Sequence, residues 1–198
     1  MKTLLTFVSA LMLSQWSLSQ PMMVTISDGS KITIDEFIES LASLNEQVEI
    51  FSVDSFNLYF EKHLNAYRLA KNLEAVTYDR SVLKVALDQS EYCMKKGYLD
   101  HRQPADNKRW ASDRCVYYAI ETVMEYENLH SCDMRVSVLN EYLSGANYYD
   151  ALSRVVLRAW QLSPGHNVAL LNYGQHFAVG TSRGDDYTMY SCYLLIDN

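Results

Sequence analysis

Proline and glycine are scarce in this chain: 3 and 7 of 198 residues leave no collagen-like repeat and no low-complexity linker. No two cysteines are spaced as Cys-x-x-Cys, so neither a thioredoxin-type redox site nor a zinc knuckle is indicated. The His-Glu-x-x-His and Gly-x-Ser-x-Gly signatures are missing, and no cysteine neighbours a candidate base. Nor is there a cluster of lysine and arginine, and the formal net charge is −7 at pH 7. Such a surface repels phosphate backbones and anionic lipid, which argues against nucleic acid as a partner. Beyond the N-terminus no apolar run is long enough to span a bilayer.

What is present is the composition of a globular domain. Hydrophobic residues make up 48%, enough for a substantial core, and the 15 tyrosines sit within apolar patterns as packing residues. The N-terminus reads differently. Lys2 supplies a positive start, LLTFVSALML an apolar run, and Ser17-Leu18-Ser19 a small-x-small cleavage site. That is a secretory signal peptide over 1–19, with Gln20 as the first mature residue. Losing Lys2 with it takes the net charge from −7 to −8. The mature chain is expected to be soluble and secreted, either periplasmic or extracellular, with no transmembrane segment. Its four cysteines, Cys93, Cys115, Cys132 and Cys192, then imply two disulfides.

VTISDGSKITI reads as two short strands around an Asp28-Gly29 turn. Thr33 and Glu36 form a capping-box pattern ahead of an amphipathic helix over 34–45. Residues 20–53 are expected to form a prefix to a main domain over 54–198. In that domain Phe56, Tyr59, Phe60, His63, Leu64 and Tyr67 form one helical stripe. A second helix starts near Arg80, carries Val82, Ala86 and Cys93 inward, and stops at Gly97. Residues 99–116 lack periodicity and read as loop. CVYYAIETVMEY fits either a strand or a buried helix. Residues 133–143 and YYDALSRVVLRAWQL read as helices, HFAVGTS and YTMYSCYLLI as strands. Helices followed by late strands indicate an α+β domain.

Five histidines are the main chemical candidates. Ser163 is a good N-cap and Pro164 fits N1, so His166 lies in a first helical turn. The unpaired N–H groups there disfavour imidazolium, and neutral imidazole is the form that binds a metal or accepts a proton. A surface histidine at a helix start is the plainer alternative. His176 reads as a partly exposed strand residue, His63 as a hydrogen-bonded groove residue, and His130 carries no distinguishing context.

His101 emerges on a loop after the Gly97 stop, and here a family resemblance enters. The segment from Leu64 to His101 resembles the opening of a CAP-superfamily domain, the group of cysteine-rich secretory proteins, antigen 5 and pathogenesis-related proteins. Asn65 and Arg68 match its first helix, Leu73, Asp79 and Leu83 its link to the second, and His101 its following histidine. WQLSPGH, from Trp160 to His166, matches the Trp-x-x-Ser-Pro-Gly-His of the short bacterial SCP-like form, and HFAVG resembles its next strand. The resemblance implies a three-layer α-β-α sandwich with a cleft lined by His101, Glu121 and His166. Glu121 is the candidate for the glutamate of the family's Gly-Glu-Asn segment, with Glu125 and Glu141 as candidates for a second carboxylate. Two imidazoles, His101 and His166, with one carboxylate can hold a divalent ion such as Zn²⁺ with a position left open. The implied role is a binding or interaction module for a metal, a small molecule, a lipid or a protein. The alternative is a hydrolase, peptidase-like, using the same residues for acid–base or metal-assisted work. The expected disulfides are Cys115–Cys132, around Glu121, and Cys93–Cys192, joining the second helix to the last strand.

Overall fold

The computed structural model describes residues 22–26 and 29–197; the expected signal peptide at 1–19 lies outside them. Strands β1 (Met23–Thr25) and β2 (Lys31–Thr33) pair antiparallel. Helix α1 (Ile34–Glu49) follows directly. Thr33 Oγ1 accepts the Glu36 N–H at 3.2 Å and Glu36 Oε2 accepts the Thr33 N–H at 2.7 Å, the reciprocal cap written in the sequence. Leu44 and Val48 are its buried positions, and the second of them lies past the expected end at 45.

Helix α2 (Val53–Leu69) buries Phe56, Phe60 and Leu64. Strand β3 (Thr77–Tyr78) leads into α3 (Arg80–Lys96), capped by Asp79 and ended by Gly97 at φ 79°. Then come α4 (Ala111–Tyr117), β4 (Met124–Asp133), α5 (Leu139–Leu143), α6 (Tyr148–Leu162) and α7 (Pro164–Leu171). Strands β5 (His176–Arg183) and β6 (Thr188–Asp197) close the chain. The main sheet has the order β3-β5-β6-β4, with β6 antiparallel to both neighbours and β3 parallel to β5. None of the helices among the described residues is long and apolar enough to cross a membrane.

Period-2 alternation along β5 and β6 divides the core into two layers. Phe177, Val179, Tyr193 and Leu195 pack with α2 and α6 on one face. Ala178, Cys192, Leu194 and Ile196 pack with α3 on the other. The architecture is therefore the α+β, α-β-α sandwich expected. Because β3 is only two residues long, the β5 backbone beyond it needs another partner. Asn57 supplies it: its side-chain Nδ2 donates to Val179 O at 2.9 Å and its Oδ1 accepts the Val179 N–H at 2.7 Å. Buried Arg68 does the same for the loops, donating to the carbonyls of Glu74, Leu170 and Asn172.

Three sequence expectations need correction. Residues 133–143 are not one helix, because β4 runs to Asp133 and α5 begins only at Leu139. Residues 99–116 are not all loop, because α4 begins at Ala111. Asp113 Oδ2 accepts the Trp110 N–H at 2.9 Å to start it, and seven residues are too few for periodicity to show. CVYYAIETVMEY is thus neither one strand nor one helix but the end of α4, a turn and the start of β4. The expected disulfides are also absent, since all four cysteines are free thiols. Cys115 packs in the α3 layer and Cys132 against the α2–α6 layer, so the sheet separates them. Cys93 and Cys192 share the α3 layer, each as a buried thiol.

Gly180 is where α3 meets the sheet. A Cβ there would lie 2.2–2.3 Å from the backbone of Ala86 and Leu87, which no rotamer change relieves. Gly180→Ala should therefore destabilise the protein by at least the ~1–3 kcal/mol typical of overpacking. Urea denaturation followed by far-UV dichroism checks this; an unchanged midpoint would show that α3 can move off the strand without cost.

Candidate functional site

Strand β4 is the edge of the main sheet, and its alternating side chains face opposite layers. Glu127 and Leu129 point to the α3 side, where Leu129 joins the core; Asn128 and His130 point to the side of α6 and α7. One strand thus serves both flanks of the edge.

On the α3 flank, Glu127 is almost fully buried, and three groups meet it. His101 Nδ1 lies 2.7 Å from Oε1, the Arg114 guanidinium pairs with Oε2, and the Cys192 thiol donates to Oε2 at 3.5 Å. Arg114, on α4, is completely buried. Its Nη1 also donates to the carbonyls of His101 at 3.4 Å and Lys108 at 3.3 Å, so one side chain holds both the carboxylate and the loop that carries the histidine. The same loop is anchored to α3, where Gln89 Nε2 donates to Asp100 O at 2.5 Å. His101 itself is about half exposed, at 49% for its side chain. With Nδ1 turned to a carboxylate, Nε2 is the nitrogen left for a ligand. The Glu127 contact holds the His101 imidazolium pKa above its ordinary 6.5 against the opposing effect of burial.

On the other flank, Asn128 Nδ2 donates to the His166 carbonyl at 2.8 Å and fixes the first turn of α7. Burial lowers the pKa of His166, and the charge of His101 lowers it further. His130 lies against Trp160 with ring centroids 6.2 Å apart, and burial lowers its pKa too, with a second contribution from His166. Trp160 Nε1 donates to Leu129 O at 3.1 Å, tying α6 to the same strand.

Glu121 does not occupy the place expected for it. It is exposed on the segment that leads into β4, and the carboxylate that meets His101 is Glu127. Glu125 lies on the same face of β4 as Glu127, and burial raises its pKa. Glu141 is on α5 in an ion pair with Arg154 at 3.0 Å. His63 bonds Asp150 through Nε2 at 3.0 Å, and His176, at the start of β5, faces Asp79 at 3.8 Å without a hydrogen bond. The sequence held the signal for Glu127. Tyr126-Glu127-Asn128 keeps two of the three residues of the Gly-Glu-Asn segment, whereas Ile120-Glu121-Thr122 keeps one. Arg114 had no such signal, because the short α4 was hidden.

Both Glu127 oxygens are engaged by the protein, so this carboxylate supports His101 rather than standing free as a metal ligand. Among the described residues no group of three or more His, Cys, Asp or Glu side chains is arranged to hold a metal ion. Two shallow grooves of about 390 and 580 Å³ run along α5 and α6, and neither is lined by His101, His130 or His166.

A sandwich whose edge strand carries a buried glutamate against a loop histidine, with a helix-start histidine on the other flank, has the form of a CAP domain. The family model described as "Cysteine-rich secretory protein family" matches residues 62–194, and the chain belongs to that family. Among solved structures it is similar to an extracellular SCP-domain protein of Bacillus anthracis, at 20% identity and TM-score 0.53 over 73% of this chain. The match spans only 41% of that longer protein. It is also similar to an outer surface protein of Borrelia burgdorferi, at 20% identity and TM-score 0.54 over 71% of this chain and 90% of that one. The CAP domain of enterococcal PrgA matches at 14% identity and TM-score 0.50, over 90% of this chain and 84% of that one. At these identities the likeness concerns the fold. No curated protein is similar enough to count as a match.

Arg114→Met should cost about 3–5 kcal/mol of stability, because it leaves Glu127 buried without its cation. Thermal unfolding checks this, and a loss under 1 kcal/mol would mean that Glu127 is solvated. Histidine titration by NMR tests the electrostatics separately. His101 should titrate above 6.5, and His130 and His166 below it. The signs give opposite stability profiles. The His101–Glu127 contribution is complete below 6.5 and fades as pH rises through the higher folded pKa. The contribution of neutral His130 and His166 is present above 6.5 and is lost as pH falls through their lower folded values. Glu127→Gln should bring the His101 midpoint down; no movement would remove the carboxylate as its cause.

Proposed function

We propose that this protein is a secreted or surface-located CAP domain that works as a binding module, with its site at the β4 edge between His101 and His166. The observation that carries this reading is the pre-set imidazole: a fully buried arginine fixes Glu127, and Glu127 fixes a half-exposed His101. A protein that buries an ion pair to orient an exposed ring has invested in a recognition surface. The extracellular and outer-surface descriptions of the Bacillus and Borrelia proteins support the location. So does the leader-like N-terminus.

Two imidazoles are donors whose chemistry suits a weakly held divalent ion such as Zn²⁺. His101 Nε2 and the His166 imidazole would be its protein ligands, with Glu127 behind His101 as a carboxylate–histidine support. Such an ion would supply Lewis acidity and a coordination position for a small anionic or carbonyl-bearing ligand. The chain's own residues orient the ring and keep His166 neutral for coordination. The same His101–Glu127 pair also has the form of an oriented general base, which is what favours the hydrolase reading. Against it, the one thiol in contact with the site is that of Cys192, fully buried and with its pKa pushed well up.

Calorimetric titration with zinc at about pH 7.5, where unperturbed imidazole is neutral, tests the assignment. His166→Ala and His101→Ala should each abolish binding, while His176→Ala and Glu121→Gln leave it unchanged. Glu127→Gln should weaken it by roughly 10–100-fold through loss of orientation. Binding should fade as pH falls through the raised His101 pKa, above 6.5, because protonated imidazole cannot ligate. Equal binding by wild type and the His101→Ala/His166→Ala double variant would overturn the site. A turnover screen with peptide and ester substrates that shows activity lost in His101→Ala would favour the hydrolase.

A further inference from the structure

Three side chains stand abreast on three neighbouring strands. His130 on β4 is the register partner of Ser191 on β6, and Ser191 is the partner of Thr181 on β5. Their immediate neighbours Leu129 and Cys192 pack in the α3 layer, and Gly180 meets α3 directly. By alternation, all three polar side chains face the opposite, α2–α6 side. That side is otherwise apolar and aromatic, with the Trp160 ring next to His130.

His130 Nε2, Ser191 Oγ and Thr181 Oγ1 are each buried, and none finds a hydrogen-bond partner among the described residues. One buried polar atom without a partner is ordinary; three in consecutive register positions are an arrangement. Each would carry the full desolvation cost of a lost hydrogen bond, a cost that native cores remove. The neighbouring row shows the contrast. Asn128, two residues from His130 on the same face, is satisfied by the His166 carbonyl. Directly opposed side chains stand about 5 Å apart at Cβ, and here the short hydroxyls do not bond each other. A water molecule, with two donors and two acceptors, spans such a gap and serves hydroxyl and imidazole alike.

We propose that this row is an internal hydration site, in which ordered water bridges His130 Nε2, Ser191 Oγ and Thr181 Oγ1 and links β4, β6 and β5 across the covered face of the sheet. The bound water orients the His130 ring against Trp160, one step inward from the residue that holds α7. The site stands whether or not the β4 edge binds a metal. Phosphate, lipid and larger ligands do not suit it, because the three polar atoms are buried.

Water-selective NMR on the full chain tests the proposal directly. Long-lived water should give cross-relaxation to the amides of Thr181 and Ser191, and Ser191→Ala/Thr181→Val should abolish it. Stability supplies a second reading. Each single substitution should lower the urea midpoint, because the shared water loses a partner. The double variant should lose less than the two singles together, since the water is already gone. Midpoints that rise on Ser191→Ala and Thr181→Val would mean the hydroxyls are dry and unsatisfied, and would overturn the site. The absence of long-lived water in the unmutated chain would overturn it equally, even where a variant fails to fold.

Discussion

The buried pair of Arg114 and Glu127 is the constraint on which the functional edge depends. Neither ion is tolerable alone in its place: Arg114 is wholly buried, and Glu127 nearly so. Together they join three pieces of chain distant in fold, namely α4, the edge strand and the loop after α3. Arg114 holds that loop by its backbone carbonyls and Glu127 holds it by the His101 ring. A hydrophobic pair of similar volume would serve stability as well or better. What it could not do is present a half-exposed imidazole with one nitrogen already committed.

Geometry at a sheet edge explains why the two histidines come from opposite layers. A central strand has a neighbour on either side, so groups above and below it are separated by backbone. At β4 the sheet ends, and consecutive residues Glu127 and Asn128 reach around it from opposite faces. Glu127 anchors His101 from the α3 side, and Asn128 anchors the carbonyl of His166 from the α7 side. The strand behaves as a hinge pin with a histidine on each leaf, and it is itself fixed through ten register pairs with β6. Orientation therefore comes from a strand held by backbone pairing in the sheet rather than from the loops that carry the rings.

Legibility from sequence followed length and locality. The capping box at Thr33, the start near Arg80 and Gly97 stop of α3, and the long stripe of α2 are each local signals, and each reappears in the structure. Asn65 and Arg68 were visible as a pattern, but their work was not. Asn65 brackets Val76, and Arg68 gathers carbonyls from residues more than a hundred positions away. Helix α4 was hidden by its shortness, and with it Arg114. Neither the Glu121 nor the Glu127 segment has the family's glycine, and only the asparagine after Glu127 tells the two apart. For His130, nothing within its own strand tells which residues stand beside it. Register is the information a single sequence withholds.

The cysteines show how compartment and core can give different readings of the same residues. An even number of cysteines together with a leader-like N-terminal sequence favours disulfides on composition, yet here burial decides. Cys93, Cys115 and Cys192 sit in the α3 layer as small apolar residues, with desolvation raising each thiol pKa. Oxidation requires thiolate and access, and all three have little of either. Cys192 is held further toward the thiol because its S–H donates to the same Glu127 that orients His101. A thiolate there would set a second negative charge against that carboxylate and weaken the hold of Glu127 on Arg114. The inertness of Cys192 is thus part of what keeps the edge site assembled.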